Sequence, residues 1–129
     1  MFDLGVRRLA AREGKRLPLK YMGHLFEQFI MLELVRKCRR IKERFKVCYW
    51  RDPGGPEVDC VLDRKDLLIP IEIKYSDRPD KNDARHIMTF LDEYKEATKG
   101  YIVCQAPRKM KIHDNVYAIP WQELSEVLA

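Results

Sequence analysis

Apolar positions recur at helical spacing in two long stretches of the chain. From Lys20 to about Arg40 they form a broad apolar face, which predicts a long helix whose last turn is basic. From Asp80 to about Ala97 the same spacing returns, with Asp80 as the expected N-cap and Gly100 as the expected stop. We therefore expect one long helix before a run of strands and another after it.

Between and after these helices, short aromatic and β-branched runs favour strands. The predicted strands are Phe45–Trp50, Glu57–Asp63, Leu67–Tyr75, Tyr101–Gln105 and Val116–Ile119. The first three can form a meander, and Pro120 can open a short final helix, Trp121–Leu128. This order predicts a mixed α/β domain of three layers.

The remaining features of the sequence fit one domain over residues 20–129, preceded by a basic lead-in segment over residues 1–19. A chain of 129 residues can bury a core without disulfides. No apolar run is long enough to span a membrane, and no signal peptide is expected. The four cysteines are widely spaced and lack a C-x-x-C pair, which predicts reduced, partly buried thiols in a cytoplasmic protein rather than a zinc cluster.

The formal net charge of +5 is unevenly distributed. Residues 1–46 carry 13 Lys and Arg against 5 Asp and Glu, whereas residues 47–129 carry 12 against 15. A basic front half permits a polyanionic partner, and a solvated helix face explains the same pattern. Both interpretations stay open on charge alone.

The third predicted strand alternates so that Glu72 and Lys74 share a face. A four-residue hairpin loop sets Asp59 opposite Glu72, and a two-residue loop sets Glu57 opposite Glu72. Either register puts Asp59, Glu72 and Lys74 on one face, with paired Cβ atoms about 5 Å apart. Two such carboxylates suit one Mg²⁺ or Mn²⁺ ion and metal-assisted phosphodiester hydrolysis. Lys74 would then hold or deprotonate the attacking water; the alternative is a cross-strand salt bridge.

Asp59, followed by Glu72-Ile73-Lys74 on the next strand, resembles the D…ExK core of the PD-(D/E)xK nuclease superfamily. Glu27 resembles the extra helix acid of the Holliday-junction-resolvase-like branch, and the predicted element order matches the αβββαβ core. The resemblance implies the restriction-endonuclease-like fold, a central mixed sheet flanked by helices. It also implies Asp59, Glu72 and Lys74 as catalytic residues, and Glu27, Asp59, Glu72 and the Ile73 carbonyl as metal ligands.

Six segments in order resemble one family more closely, the nuclease-like C-terminal domain, of unknown function, in bacterial and archaeal AAA+ ATPases. They are Phe2–Val6, Gly23–Ile30, Tyr49–Arg51, Glu57–Val61, Pro70–Lys74 and Val116–Trp121. Val58 departs from the proline that often precedes the motif aspartate. No G-x-x-x-x-G-K-[ST] loop occurs, so the ATPase part is not in this chain. The implied partners are DNA, an ATPase domain and a second copy of the chain.

The expected DNA contacts are basic residues in three segments, with salt-sensitive affinity. They are Arg36, Lys37, Arg39, Arg40, Arg51, Arg108, Lys109 and Lys111. Trp50 either stacks on a nucleic-acid strand or packs in the core. The favoured function is a Mg²⁺-dependent endonuclease-like domain that hydrolyses DNA. The alternative is a non-catalytic module of an ATPase, used for nucleic-acid binding or dimerisation.

Overall fold

A six-stranded mixed sheet forms the centre of the computed structural model, which describes residues 18–41 and 45–129. Most of the lead-in predicted over 1–19 therefore lies outside the described residues. The elements are α1 (Leu19–Arg40), β1 (Lys46–Arg51), β2 (Glu57–Arg64), β3 (Leu67–Ile73), a first 3₁₀ helix (Lys81–Ala84), α2 (Arg85–Glu93), β4 (Gly100–Cys104), β5 (Met110–His113), β6 (Val116–Pro120) and a second 3₁₀ helix (Trp121–Leu128). The spatial strand order is β1-β2-β3-β4-β6-β5.

The helix α1 packs on one face of the sheet through a stripe of residues four apart. The buried members are Met22, Phe26, Ile30, Leu34 and Cys38. They meet the isoleucines of β3, and the second 3₁₀ helix packs against the same cluster through Leu124 and Val127. The predicted bounds of α1 are confirmed within one residue. Its apolar face is narrower than expected, because Leu32 remains 65% exposed.

The helix α2 covers the opposite face, and it is shorter than predicted. Asp80 caps the preceding 3₁₀ helix in a capping box with Asp83, which confirms the predicted start. The helix ends at Glu93 because Tyr94 adopts extended backbone angles and packs its ring against Phe90, with ring centroids 4.5 Å apart. The predicted extension to Ala97 is therefore wrong.

Gly100 begins β4 rather than stopping a helix, which corrects its predicted role. A Cβ atom at Gly100 would lie 2.4 Å from Cγ2 of Ile87 and 3.2 Å from Cγ of Pro70. The glycine is thus required by the close approach of α2 to the sheet, not by a helix cap.

The C-terminal quarter contains two further differences from the expected elements. Residues Met110–His113, expected to be a basic loop, form the edge strand β5 against β6. The segment after Pro120 is a 3₁₀ helix with non-helical angles at Glu123, not a regular α-helix. Within the described residues, no helix has both the length and the apolar character that crossing a membrane requires.

The β2–β3 hairpin sets the register of the candidate site. Cys60 pairs with Ile71 and Arg64 with Leu67, which extrapolates to Asp59 opposite Glu72. This is the register of the predicted four-residue loop, although the pairing continues to a two-residue turn at Lys65 and Asp66.

A β-bulge interrupts the pairing of β1 with β2. Cys48 pairs with Val61 but Trp50 pairs with Val58, so β2 has one extra residue at Asp59 and Cys60. As a result Val58 and Val61 both pack in the same cluster beneath α2. The predicted single face running from Glu57 to Asp63 is therefore wrong, because the bulge shifts the alternation by one residue.

Candidate functional site

Asp59 and Glu72 lie together where β2 begins and β3 ends, as the alternation predicted. The backbone N–H of Asp59 donates to Oε1 of Glu72 over 3.1 Å. The N–H of Ile73 donates to Oδ2 of Asp59 over 2.9 Å. Each carboxylate thus binds the backbone of the other strand through one oxygen. The second oxygen of each accepts no hydrogen bond from the described residues.

Glu72 is the buried acid of this pair, with 6% of its surface exposed. Burial first and the charge of Asp59 next raise the pKa of Glu72 to about 8, against the opposing effects of the Asp59 N–H and Lys74. Burial also raises the pKa of Asp59, which the Ile73 N–H and Lys74 partly counteract. The two acids therefore hold a proton more readily than ordinary carboxyl groups.

Glu27 reaches the same site from α1. Burial raises its pKa first, the charge of Asp59 raises it next, and His24 and Lys74 lower it. Lys74 directly follows β3, where its backbone N–H donates to the carbonyl of Val103 over 2.9 Å. Three acids and one lysine from three elements thus lie within electrostatic range of one another.

A small pocket of about 90 Å³ opens on the α2 side of these residues. Its lining consists of Glu72, Lys74, Asn82, Asp83, Arg85 and His86. Nδ1 of His86 lies 3.0 Å from the carbonyl of Glu57. Nε2 of the same imidazole lies 3.4 Å from Nε of Arg85. Sequence reasoning missed Arg85 and His86. The Asp80 cap was the available signal, because it sets the start of the helix that carries them.

Glu57 holds two side chains of β1 beside the acids. The Tyr49 hydroxyl donates to its Oε2 over 2.6 Å, and Nε of Arg51 lies 3.3 Å from the same oxygen. Arg51 therefore lies beside the acids. Trp50 packs in the core, edge-on to Phe90 with centroids 5.2 Å apart, which settles the two interpretations of Trp50 in favour of packing.

The other predicted DNA contacts lie around the second 3₁₀ helix and along the end of α1, not at the acids. Lys37 donates to Oγ of Ser125 over 2.9 Å, and Lys109 pairs with Glu126 at 3.1 Å. The basic end of α1 and the basic segment over 108–111 therefore both contact the second 3₁₀ helix, at Ser125 and Glu126. Arg36 pairs with Glu33 and Lys111 with Asp114. Arg39, Arg40 and Arg108 are exposed and make no ion pair within the described residues.

All four cysteines are free thiols. Cys38, Cys60 and Cys104 are buried, and burial raises the pKa of Cys60 to about 12. Cys48 is exposed on β1, which corrects its expected partial burial.

The donor chemistry of the site fits a hard divalent cation, because the acids and the backbone offer only oxygen. Across residues 18–41 and 45–129, however, no three His, Cys, Asp or Glu side chains already have the spacing of a metal centre.

A family model described as "Domain of unknown function (DUF4143)" matches residues 22–124. The chain belongs to this family. The match covers α1 from Met22 onward and all six strands, and with them every member of the acid cluster. No curated protein matches the chain. Membership in the DUF4143 family therefore identifies relatives without assigning an activity.

The fold of this DUF4143 domain is shared with part of a larger solved chain. That chain comes from the "Refined half-complex from tetradecameric assembly of Thermococcus gammatolerans McrB AAA+ hexamers with bound McrC". The TM-score is 0.55 at 16% sequence identity, over 77% of this chain and 27% of the other. The DUF4143 chain thus spans about a quarter of that neighbour's length, and the likeness concerns the fold.

Proposed function

We propose that this domain is a Mg²⁺-dependent nuclease-like domain of the restriction-endonuclease-like fold that hydrolyses DNA phosphodiester bonds. The observation that carries the proposal is the reciprocal pairing of Asp59 and Glu72 beside Lys74. It brings together the residues that resemble the D…ExK motif. Acids with raised pKa values in a cleft are typical of functional sites, because burial of like charges destabilises a fold that does not use them.

The residues have separable roles in this proposal. Glu27, Asp59, Glu72 and the Ile73 carbonyl would hold Mg²⁺ or Mn²⁺, which supplies charge stabilisation at the phosphate when bound. Lys74 holds the attacking water or the charge that develops on the phosphate oxygens. Arg85 adds a positive charge in the same pocket. The water oxygen bonds to phosphorus, and the bond to one sugar oxygen breaks as that oxygen gains a proton.

A cleavage assay tests this function directly. Labelled single-stranded, duplex and four-way-junction DNA and RNA are incubated with Mg²⁺ or Mn²⁺ and the wild-type chain. Glu72→Ala should abolish cleavage, whereas Glu93→Ala, which removes an exposed acid at the end of α2, should retain it. Equal cleavage by wild type and Glu72→Ala would show that any activity comes from elsewhere.

A second candidate function is a non-catalytic module of an ATPase, used for DNA binding or dimerisation. It is favoured by the hydrogen bonds through which Asp59 and Glu72 tie β2 to β3, because these give both acids a structural use. The fold shared with part of a chain in an AAA+ assembly supports an ATPase partner under either function. Salt-sensitive DNA binding without cleavage, unaffected by Glu72→Gln, would identify this module.

A further inference from the structure

Tyr49 is an exposed aromatic residue whose ring is nevertheless held in place. Its surface is 61% exposed, yet its hydroxyl donates to Glu57 over 2.6 Å. The backbone of Tyr49 is fixed by the neighbouring Trp50, whose ring packs on Phe90 and whose Nε1 lies 3.3 Å from the Tyr94 hydroxyl. A ring anchored at both ends loses little conformational freedom when a ligand stacks on it.

Arg51 stands on the same face of β1 as Tyr49. Val47 packs in the α1 cluster and Trp50 in the α2 cluster, so alternation turns Tyr49 and Arg51 toward the α1 side. The guanidinium contacts Glu57 through Nε. Its terminal nitrogens, Nη1 and Nη2, carry the parallel donors that bind phosphate.

This pair of side chains lies at the edge of the acid cluster. Glu57, which both contact, is two residues before Asp59 and opposite Arg51 in the β1–β2 ladder. Oε2 of Glu57 contacts both Tyr49 and Arg51, which holds the two side chains at the start of β2, where Asp59 lies. A chain bound along Tyr49 and Arg51 would therefore continue into the site.

We infer that Tyr49 and Arg51 bind an unpaired nucleotide of a DNA strand, with its base on the Tyr49 ring and its phosphate on the Arg51 guanidinium. The inference rests on the proposed nuclease function, because it places this nucleotide next to the bond that is cut. Stacking on an aromatic ring needs an uncovered base face, and duplex DNA covers both faces of each internal base. The site therefore selects single-stranded or frayed DNA.

Binding and cleavage can be measured in the same samples. An oligonucleotide containing 2-aminopurine is added as a single strand or as a duplex, in EDTA and in Mg²⁺, and its anisotropy and fluorescence are recorded. We expect Tyr49→Ala to weaken single-strand binding roughly 5- to 150-fold and to abolish the 2-aminopurine quenching. Duplex binding should not change.

Two control variants separate stacking from other effects. Tyr49→Phe keeps the ring and removes the hydroxyl, so it should retain the quenching and most of the affinity. Tyr21→Ala removes a similarly exposed tyrosine from α1 and should behave as wild type. Wild-type affinity in Tyr49→Ala, or equal losses for single strand and duplex, would overturn the inference.

The outcomes also separate this inference from the proposed nuclease function. Cleavage that needs Glu72 but not Tyr49 would retain the nuclease and reject the stacking site. Quenching that depends on Tyr49, without cleavage in Mg²⁺ or Mn²⁺, would retain the nucleotide site and reject hydrolysis. A wild-type chain that neither binds nor cuts single-stranded, duplex or four-way-junction DNA rejects both.

Discussion

The carboxylates of Asp59 and Glu72 each accept a backbone hydrogen bond from the strand that carries the other residue. The N–H of Asp59 binds the carboxylate of Glu72, and the carboxylate of Asp59 binds the N–H that follows Glu72. These contacts give the acids two opposed effects on stability. They satisfy backbone groups at a strand end, while burial and mutual repulsion penalise their charged forms.

The first prediction concerns pH. The pKa of Glu72 is about 8 in the folded chain and near 4.5 when the residue is exposed. Between these values the folded state binds more protons than the unfolded state, so stability falls as pH rises from about 4.5 to 8. Urea unfolding in EDTA should show a loss on the order of a few kcal/mol. Glu72→Gln should flatten that slope; an unchanged slope would mean that Glu72 titrates normally.

The second prediction concerns divalent cations. A cation held by Glu27, Asp59 and Glu72 would offset their repulsion and bind only the folded chain. Mg²⁺ or Mn²⁺ at 100 times its dissociation constant should add about 2.7 kcal/mol to the free energy of unfolding. Thermal unfolding in a cation titration measures this gain. Asp59→Ala and Glu72→Ala should remove it and Glu93→Ala should keep it; equal gains in all variants would place the cation elsewhere.

The third prediction concerns Gly100. Gly100→Ala places a methyl group 2.4 Å from Cγ2 of Ile87, so α2 must shift away from the sheet. We expect a loss of roughly 1–3 kcal/mol in chemical denaturation. Because the clash involves one side chain, the double variant with Ile87→Ala should lose less than the sum of the single changes. Strict additivity would show that the two residues do not interact.

The fourth prediction concerns the basic end of α1. Arg39 and Arg40 make no ion pair within the described part of the chain, so both are available to phosphate. Replacing both with alanine should reduce the slope of log affinity for DNA against log salt by about 1–2. Lys95→Ala, which removes an exposed charge outside this set, serves as the control. An unchanged slope in the double variant would show that DNA does not contact the end of α1.

The sequence predicted the elements whose signals are local. The spacing of the buried α1 residues, the Asp80 cap and the alternation along β3 each depend on neighbours in the chain, and the structure agrees with all three. The grouping of Asp59, Glu72 and Lys74 was predictable for the same reason, since either hairpin register placed them on one face.

Features that depend on distant contacts could not be predicted. The bulge at Asp59 adds one residue without any glycine to mark it, and it places Val58 and Val61 on the same face of the sheet. Tyr94 ends α2 where its ring packs against Phe90 of the same helix and against Trp50 of the distant strand β1. A glycine after an apolar helical pattern is typical of a helix end, which is why Gly100 was expected to stop α2. Only the position of Ile87 in the folded chain shows that Gly100 is needed for close packing.

The strand β1 forms one margin of the sheet, where backbone groups have no partner strand among the described elements. Such a margin invites pairing with a second copy. If two β1 strands paired antiparallel and in register, Lys46 of each would stand opposite Arg51 of the other, and like charges at both ends would repel. The same two cations attract a polyanion. The charges at the two ends of β1 therefore disfavour in-register pairing with a second copy, and they are compatible with the DNA partner proposed above.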